Sequence, residues 1–146
     1  MSGSPLVRKH TGDFHWEGVD VLAYKQDGSA PFKDVTRQVL FDSVDPPAQL
    51  RYFEVAAGGH TTLERHEHVH SVMVIRGQGQ CLVGDRAYEI TENDLVNVPP
   101  MTWHQFRAAQ DAPLGFLCLV AAKRDRPQLP AEHEAEAISR PLKRSP

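Results

Sequence analysis

The sequence has only two cysteines among 146 residues, too few for a disulfide framework. Both Cys81 and Cys118 sit in apolar runs, QCLV and LCLV, as buried free thiols do in a reducing compartment. No apolar run approaches the length that spans a bilayer. The opening segment, MSGSPLVRKHTGDFHW, lacks an apolar core of signal-peptide length, so the expected location is cytoplasmic, without a membrane partner. A dominant charge is also missing. Lys and Arg total 16 against 19 Asp and Glu, a formal net charge of −3, with both signs scattered along the chain. That balance offers no electrostatic case for nucleic acid. The one basic cluster, Arg140, Lys143 and Arg144, reads as a short solvated tail.

The length is that of a single domain, large enough to fold on its own core. Residues 1–34 show no clear period and read as an N-terminal arm packing on the barrel's edge, with Trp16, Tyr24 and a turn-like DGSAPF at 27–32. Residues 35–122 carry the order. TRQVLFD (36–42) and QLRYFEV (49–55) read as strands separated by DPP (45–47). Gly58-Gly59 reads as a turn, VMVI (72–75) as a buried strand, and RGQGQ (76–80) as a Gly-rich turn. GDR (84–86) reads as a hairpin turn and TEND (91–94) as another turn. LVNVPP, TWHQFRA and LGFLCLVAA then supply the last strands. Many short strands at regular spacing predict an all-β sandwich or barrel. Residues 123–146 are rich in proline and charge and read as a partly disordered tail, with AEHEAEAIS able to form a short helix.

The informative excess is histidine. Of eight, five are His60, His66, His68, His70 and His104, and three of those are packed into HEHVH. Side chains alternate along a strand, so Glu64, His66, His68 and His70, spaced by two, would share one face if extended. His104 follows on a later strand. Imidazole and carboxylate together suit a divalent transition metal, whereas a solvated polar strand face is the plainer reading. Apolar strand residues flank the cluster and favour the metal. HEHVH also matches the metalloprotease pattern H-E-x-x-H through His66, Glu67 and His70. That pattern needs a helix, and the following SVMVIRGQG is β-branched and glycine-rich, which argues against a protease.

These residues resemble the cupin superfamily. Gly58 is followed by five residues, then Glu64 and His66, three more residues, His70, six more and Gly77, a spacing that matches the family's first motif. Glu64 stands where a histidine is usual and His70 where a glutamate is usual, so the two are exchanged. In the second motif Asn93, Pro99 and His104 keep the spacing, and Pro99 and His104 keep the residue. The resemblance covers about residues 35–122. It implies a double-stranded β-helix, a small jelly-roll barrel, with one metal (Fe, Mn, Ni or Zn) on Glu64, His66, His70 and His104. The exchange leaves three imidazoles and one carboxylate, so the charge delivered to a metal is unchanged. His68 then falls outside the ligand set. An alternative register of His66, His68 and His104 would instead place Glu64 and His70 behind the ligands.

Cupin metals serve as Lewis acids, as dioxygen-binding iron centres, or as binding modules without chemistry, and a fold does not choose among them. The leading expectation is a dioxygenase-type enzyme acting on a small oxygenated molecule. Isomerase, lyase or decarboxylase chemistry, or non-catalytic binding of a metal or small ligand, is the alternative. Arg37 or Gln38, Arg51 or Tyr52, Phe106 and Cys118 are candidates to line the cavity, and an inward arginine would favour an anionic substrate. The sequence contains no evident nucleophile–base pair and no phosphate loop. The family resemblance also implies a homodimer formed through an outer sheet face.

Overall fold

The computed structural model describes residues 5–24 and 33–144, and the expected turn at 27–32 lies outside them. The strands are β1 (His10–Gly12), β2 (His15–Trp16), β3 (Leu22–Ala23), β4 (Lys33–Val44), β5 (Pro47–His60), β6 (His70–Val83), β7 (Arg86–Thr91), β8 (Leu95–Val98), β9 (His104–Ala108) and β10 (Leu114–Ala121). One helix, α1 (Glu132–Ser139), follows and runs into a 3₁₀ turn at Arg140–Arg144.

All pairings among the strands are antiparallel. On one edge, β6 pairs with β8 from His70 to Met73 and with β7 from Gln78 to Val83. On its other edge it pairs with β10 from Ser71 to Gly77 and with β9 from Gly79 to Val83. Strand β5 pairs with β4 on one side and β10 on the other, and its last residue, His60, meets Arg107 of β9. The circuit β5–β10–β6–β9 therefore returns to β5 and closes a barrel, the double-stranded β-helix that the motif spacing implies. Closure removes most free edges from the sheet.

The core follows the strand period. Phe53 and Val55 of β5, Val72 and Val74 of β6, Phe106 of β9 and Phe116 of β10 are buried and pack as one cluster. Tyr52 faces the opposite side of β5 and is also buried, because the arm covers it. Phe14 stacks on Tyr52 at 5.6 Å and Trp16 lies at 5.3 Å from it. At the other end of the chain, Leu142 is buried beside Leu63 and Leu82, with Ala135 and Ile138 of the helix and Trp103 packed around them. AEHEAEAIS thus supplies a helix whose apolar residues cover the outside of the barrel wall.

The glycine pairs read as turns behave otherwise. Gly58-Gly59 lies within β5, and RGQGQ lies in the middle of β6. Gly58 and Gly77 take φ values of 75° and 71°, and a register shift occurs near Gly77 between Gly115 and Phe116 of β10. These are bulges that bend a continuing strand. Gly79 has a different reason. A Cβ there would come 2.1 Å from the Arg107 carbonyl oxygen across the β6–β9 pairing. Glycine inside a strand can mark such close backbone approach as readily as a turn.

Gly79→Ala should therefore destabilise the fold by about 1–3 kcal/mol, the usual cost of forcing extra volume into a packed site. A denaturant midpoint lowered at unchanged m-value is the expected result. An unshifted midpoint would mean that β6 and β9 can separate without cost.

Candidate metal centre

The segment between β5 and β6 positions most of the cluster. Glu64 and His104 exchange backbone hydrogen bonds of 3.2 and 3.0 Å, an isolated antiparallel bridge that sets these residues opposite each other. Residues that face each other across such a bridge share a side of the sheet. Beyond it the chain is not extended: it bends at 67–68 before β6 begins at His70. The expectation that Glu64, His66, His68 and His70 alternate along one strand is therefore corrected. They converge because the loop folds over.

Asp125, beyond β10, holds that bend. Its carboxylate accepts the backbone N–H groups of Glu67 at 2.8 Å and His68 at 3.0 Å, and lies 2.7 Å from Nδ1 of His68. The backbone N–H groups, chiefly that of Glu67, hold the Asp125 carboxyl well below the usual carboxylate range. Glu67 itself is exposed, so HEHVH forms no protease helix here.

Ligand atoms of His66, His70 and His104 all lie within 4.8 Å of one another. Glu64 Oε2 is 3.8 Å from His66 Nε2. His66 Nδ1 lies 2.7 Å from the His68 carbonyl and His104 Nδ1 lies 2.9 Å from the Thr102 carbonyl. A carbonyl can only accept, so both Nδ1 atoms carry the proton and each Nε2 presents its lone pair to the centre. The Nε2 atoms of His66 and His70 are buried without a hydrogen-bond partner. Two orphaned ring nitrogens facing a third imidazole and a carboxylate are expensive unless a cation completes them, and this donor set fits a divalent transition metal. His68 lies outside this group. Its ring stacks on His66 at 3.7 Å, and with His66 and Asp125 it forms a second, more open set of ligand atoms.

Burial keeps the rings neutral. The pKa of His66 is lowered from 6.5 to about 4, first by desolvation and then by the neighbouring His104. His70 is pushed further down, again by desolvation first and His104 second. Neutral imidazole is the form that binds metal. In the unfolded chain both rings titrate near their ordinary value, about 6.5.

Beside the histidines is a small cavity walled by Phe53, Phe106 and Phe116, with Tyr24, Thr61, Thr62, Glu64 and Cys118 as its other polar or thiol-bearing lining. Of the alternatives posed by the sequence, Arg37 and Arg51 share the inward face, because Arg37 pairs with Phe53 and Arg51 with Cys118. Gln38 and Tyr52 face the arm. Two residues at the site escaped the sequence reading, Tyr24 and Asp125. Neither sits in a motif, and each reaches the cavity or loop from a segment distant in sequence. Burial raises the Tyr24 phenol to about 12, so it stays protonated.

Two outcomes follow from this geometry. Between pH 6.5 and about 4 the unfolded chain binds more protons than the folded one. The metal-free protein should therefore hold full stability from these rings above pH 6.5 and melt progressively lower as pH falls towards 4. A His66→Gln, His70→Gln double variant with an equally steep fall would refute the assignment to these rings. Asp125→Ala should raise amide exchange at Glu67 and His68 roughly tenfold or more, while exchange in β5 and β6 stays the same.

The Cupin domain family model matches residues 51–120. The chain is 54% identical over 125 residues to 1-methylthio-D-xylulose 5-phosphate methylsulfurylase of Rhodospirillum rubrum, covering 86% of this chain and 80% of that one. It is also similar to a cupin 2 conserved barrel domain protein from Rhodopseudomonas palustris, with 51% identity and a TM-score of 0.83 over 92% of this chain and 97% of that chain. A cupin-2 domain structure from Rhodospirillum rubrum matches at 51% identity and a TM-score of 0.80, covering 90% of this chain and 88% of that one. With the barrel closed and the histidines gathered beside its small cavity, the chain belongs to the cupin superfamily.

Proposed function

We propose that the protein is a metal-dependent enzyme of small phosphorylated ketoses, with a divalent metal held by Glu64, His66, His70 and His104. The observation that carries this reading is the pair of orphaned, buried Nε2 atoms of His66 and His70 beside His104 and Glu64. The Rhodospirillum rubrum relative points to the substrate class: its name describes movement of a methylsulfur group from a 1-methylthio-ketose 5-phosphate. The bond to be broken joins C1 to sulfur, next to the C2 carbonyl: an acceptor thiolate bonds to the methylthio sulfur to give a mixed disulfide, and C1 keeps the electron pair as an enolate that then takes a proton. A divalent metal at this centre would supply Lewis-acid stabilisation of the charge that C1 shares with that carbonyl. The aromatic walls of Phe53, Phe106 and Phe116 exclude water and suit the apolar methylthio end. This Lewis-acid role is among the alternatives raised from the sequence. Oxygen insertion, the leading expectation there, finds no support in the relative's name.

The test is turnover. Metal-loaded protein, given 1-methylthio-D-xylulose 5-phosphate and dithiothreitol as acceptor, should release the corresponding 1-deoxy ketose phosphate. His70→Ala and His104→Ala should each lose at least about a hundredfold in rate, in line with loss of a metal ligand. Substrate-dependent oxygen uptake without release of that product would restore the dioxygenase reading.

Elemental analysis checks the ligand register separately. His70→Ala should lose the metal, whereas His68→Ala should keep most of it. Equal loss from both would favour the register built on His68. We further propose a cytoplasmic homodimer. The two buried free thiols support the location, and the exposed Met73, Leu95 and Leu119 on the outer sheet face support the pairing. Sedimentation at micromolar concentration should give twice the 16.3 kDa chain mass.

A further inference from the structure

Arg51 is 4% exposed, and its Nε has no hydrogen-bond partner. One Nη lies 3.7 Å from Cys118 Sγ, and the guanidinium sits 4.9 Å above the Phe53 ring. Neither neighbour carries a full negative charge. The ion pairs of His66, His68 and Arg76 do not reach Arg51, and the Glu64 carboxylate acts with Arg51 and Arg37 on the Tyr24 phenol between them. A buried guanidinium without a carboxylate is costly, and proteins avoid it unless an anion arrives.

Arg51 also has company. Arg37 shares its inward face, lies 5.7 Å over Tyr24, and has a buried Nε without a partner. Tyr24 meets Phe53 edge-on at 4.9 Å, so Arg37 and Arg51 flank one aromatic pair. Arg124 donates to Gln49 Oε1 at 3.3 Å and to the Ala121 carbonyl at 3.0 Å, and Gln49 lies two residues from Arg51 on the same face of β5. Desolvation, then the repulsion of Arg51, lowers the pKa of Arg124; Tyr24 opposes this and Arg37 adds to it, so the three arginines feel one another. The cluster adjoins the metal centre: Cys118 Sγ, which touches Arg51, is 3.6 Å from His70 Nδ1.

We propose that Arg51, Arg37 and Arg124 form the subsite for the substrate's phosphate monoester, holding it beside the metal centre while the carbonyl end faces the histidines. The choice of a phosphate rests on the substrate class proposed above; the need for an anion rests on the arginines alone. Guanidinium groups suit this task because they bind phosphate oxygens in pairs and stay charged. Arg51 contributes the buried, water-excluded contact. Arg37 and Arg124 close over the outer oxygens.

Calorimetry on the metal-loaded protein tests the subsite without turnover, using D-xylulose 5-phosphate and D-xylulose as probes. The phosphate should bind at least tenfold more tightly than the free sugar. The Arg37→Gln, Arg124→Gln double variant alters partly or fully exposed side chains. It should lose most of that preference while keeping its metal content and its affinity for D-xylulose. Arg51→Met, checked for folding by its melting temperature, should abolish the preference. Equal affinity for the two sugars in the wild type, or an unchanged preference in the double variant, would overturn the proposal. A protein that prefers the phosphate through these arginines, yet does not act on the methylthio ketose, would keep the subsite and remove only the proposed reaction.

Discussion

The structure depends on the hydrogen-bond ladder of β6. This strand pairs with four others, β7 to β10, and so takes part in both walls of the barrel. A strand shared in this way must bend without losing its partners. Gly77 provides the bend through positive φ, and Gly79 allows the β9 backbone to come within contact distance. The start of the same strand carries His70. The strand that organises the fold therefore also sets one wall of the candidate metal centre, and displacement of β6 would be felt at both.

The histidine cluster is held against strong opposing terms. Removing imidazoles from water and placing them beside one another disfavours their charged forms. The protein meets this by giving the Nδ1 atoms of His66 and His104 to backbone carbonyls, which leaves each Nε2 as an acceptor facing inward. The same logic, with the opposite sign, applies to the arginines around Arg51. One group of buried side chains calls for a cation and its neighbour for an anion.

The termini contribute more than their composition suggests. The arm brings Phe14 and Trp16 over Tyr52, and Tyr24 into the cavity. The segment after β10 supplies Asp125 to the loop that carries His66, and Leu142 to a small outer core. Each has little periodicity of its own and takes its shape from the barrel surface against which it packs.

The sequence by itself determined the architecture. The period-two strands and their turns at 84–86 and 91–94 are written in local residue choice, because side-chain alternation and turn chemistry act over a few residues. Spacing brought Glu64, His66, His70 and His104 forward as candidates, and the fold sets them beside one another. What the tertiary structure decided was how these groups meet. A run of four residues spaced by two looks like one strand face, yet it is a bent loop, because Asp125 lies 58 residues away from Glu67 and still caps its N–H. Glycines at 58, 77 and 79 look like turn residues, yet they serve strands, because only the position of the neighbouring backbone distinguishes a turn from a close approach. The inward facing of Arg37 and Arg51 was likewise open until register and bulges were known, since a shift of one residue sends a side chain to the opposite face.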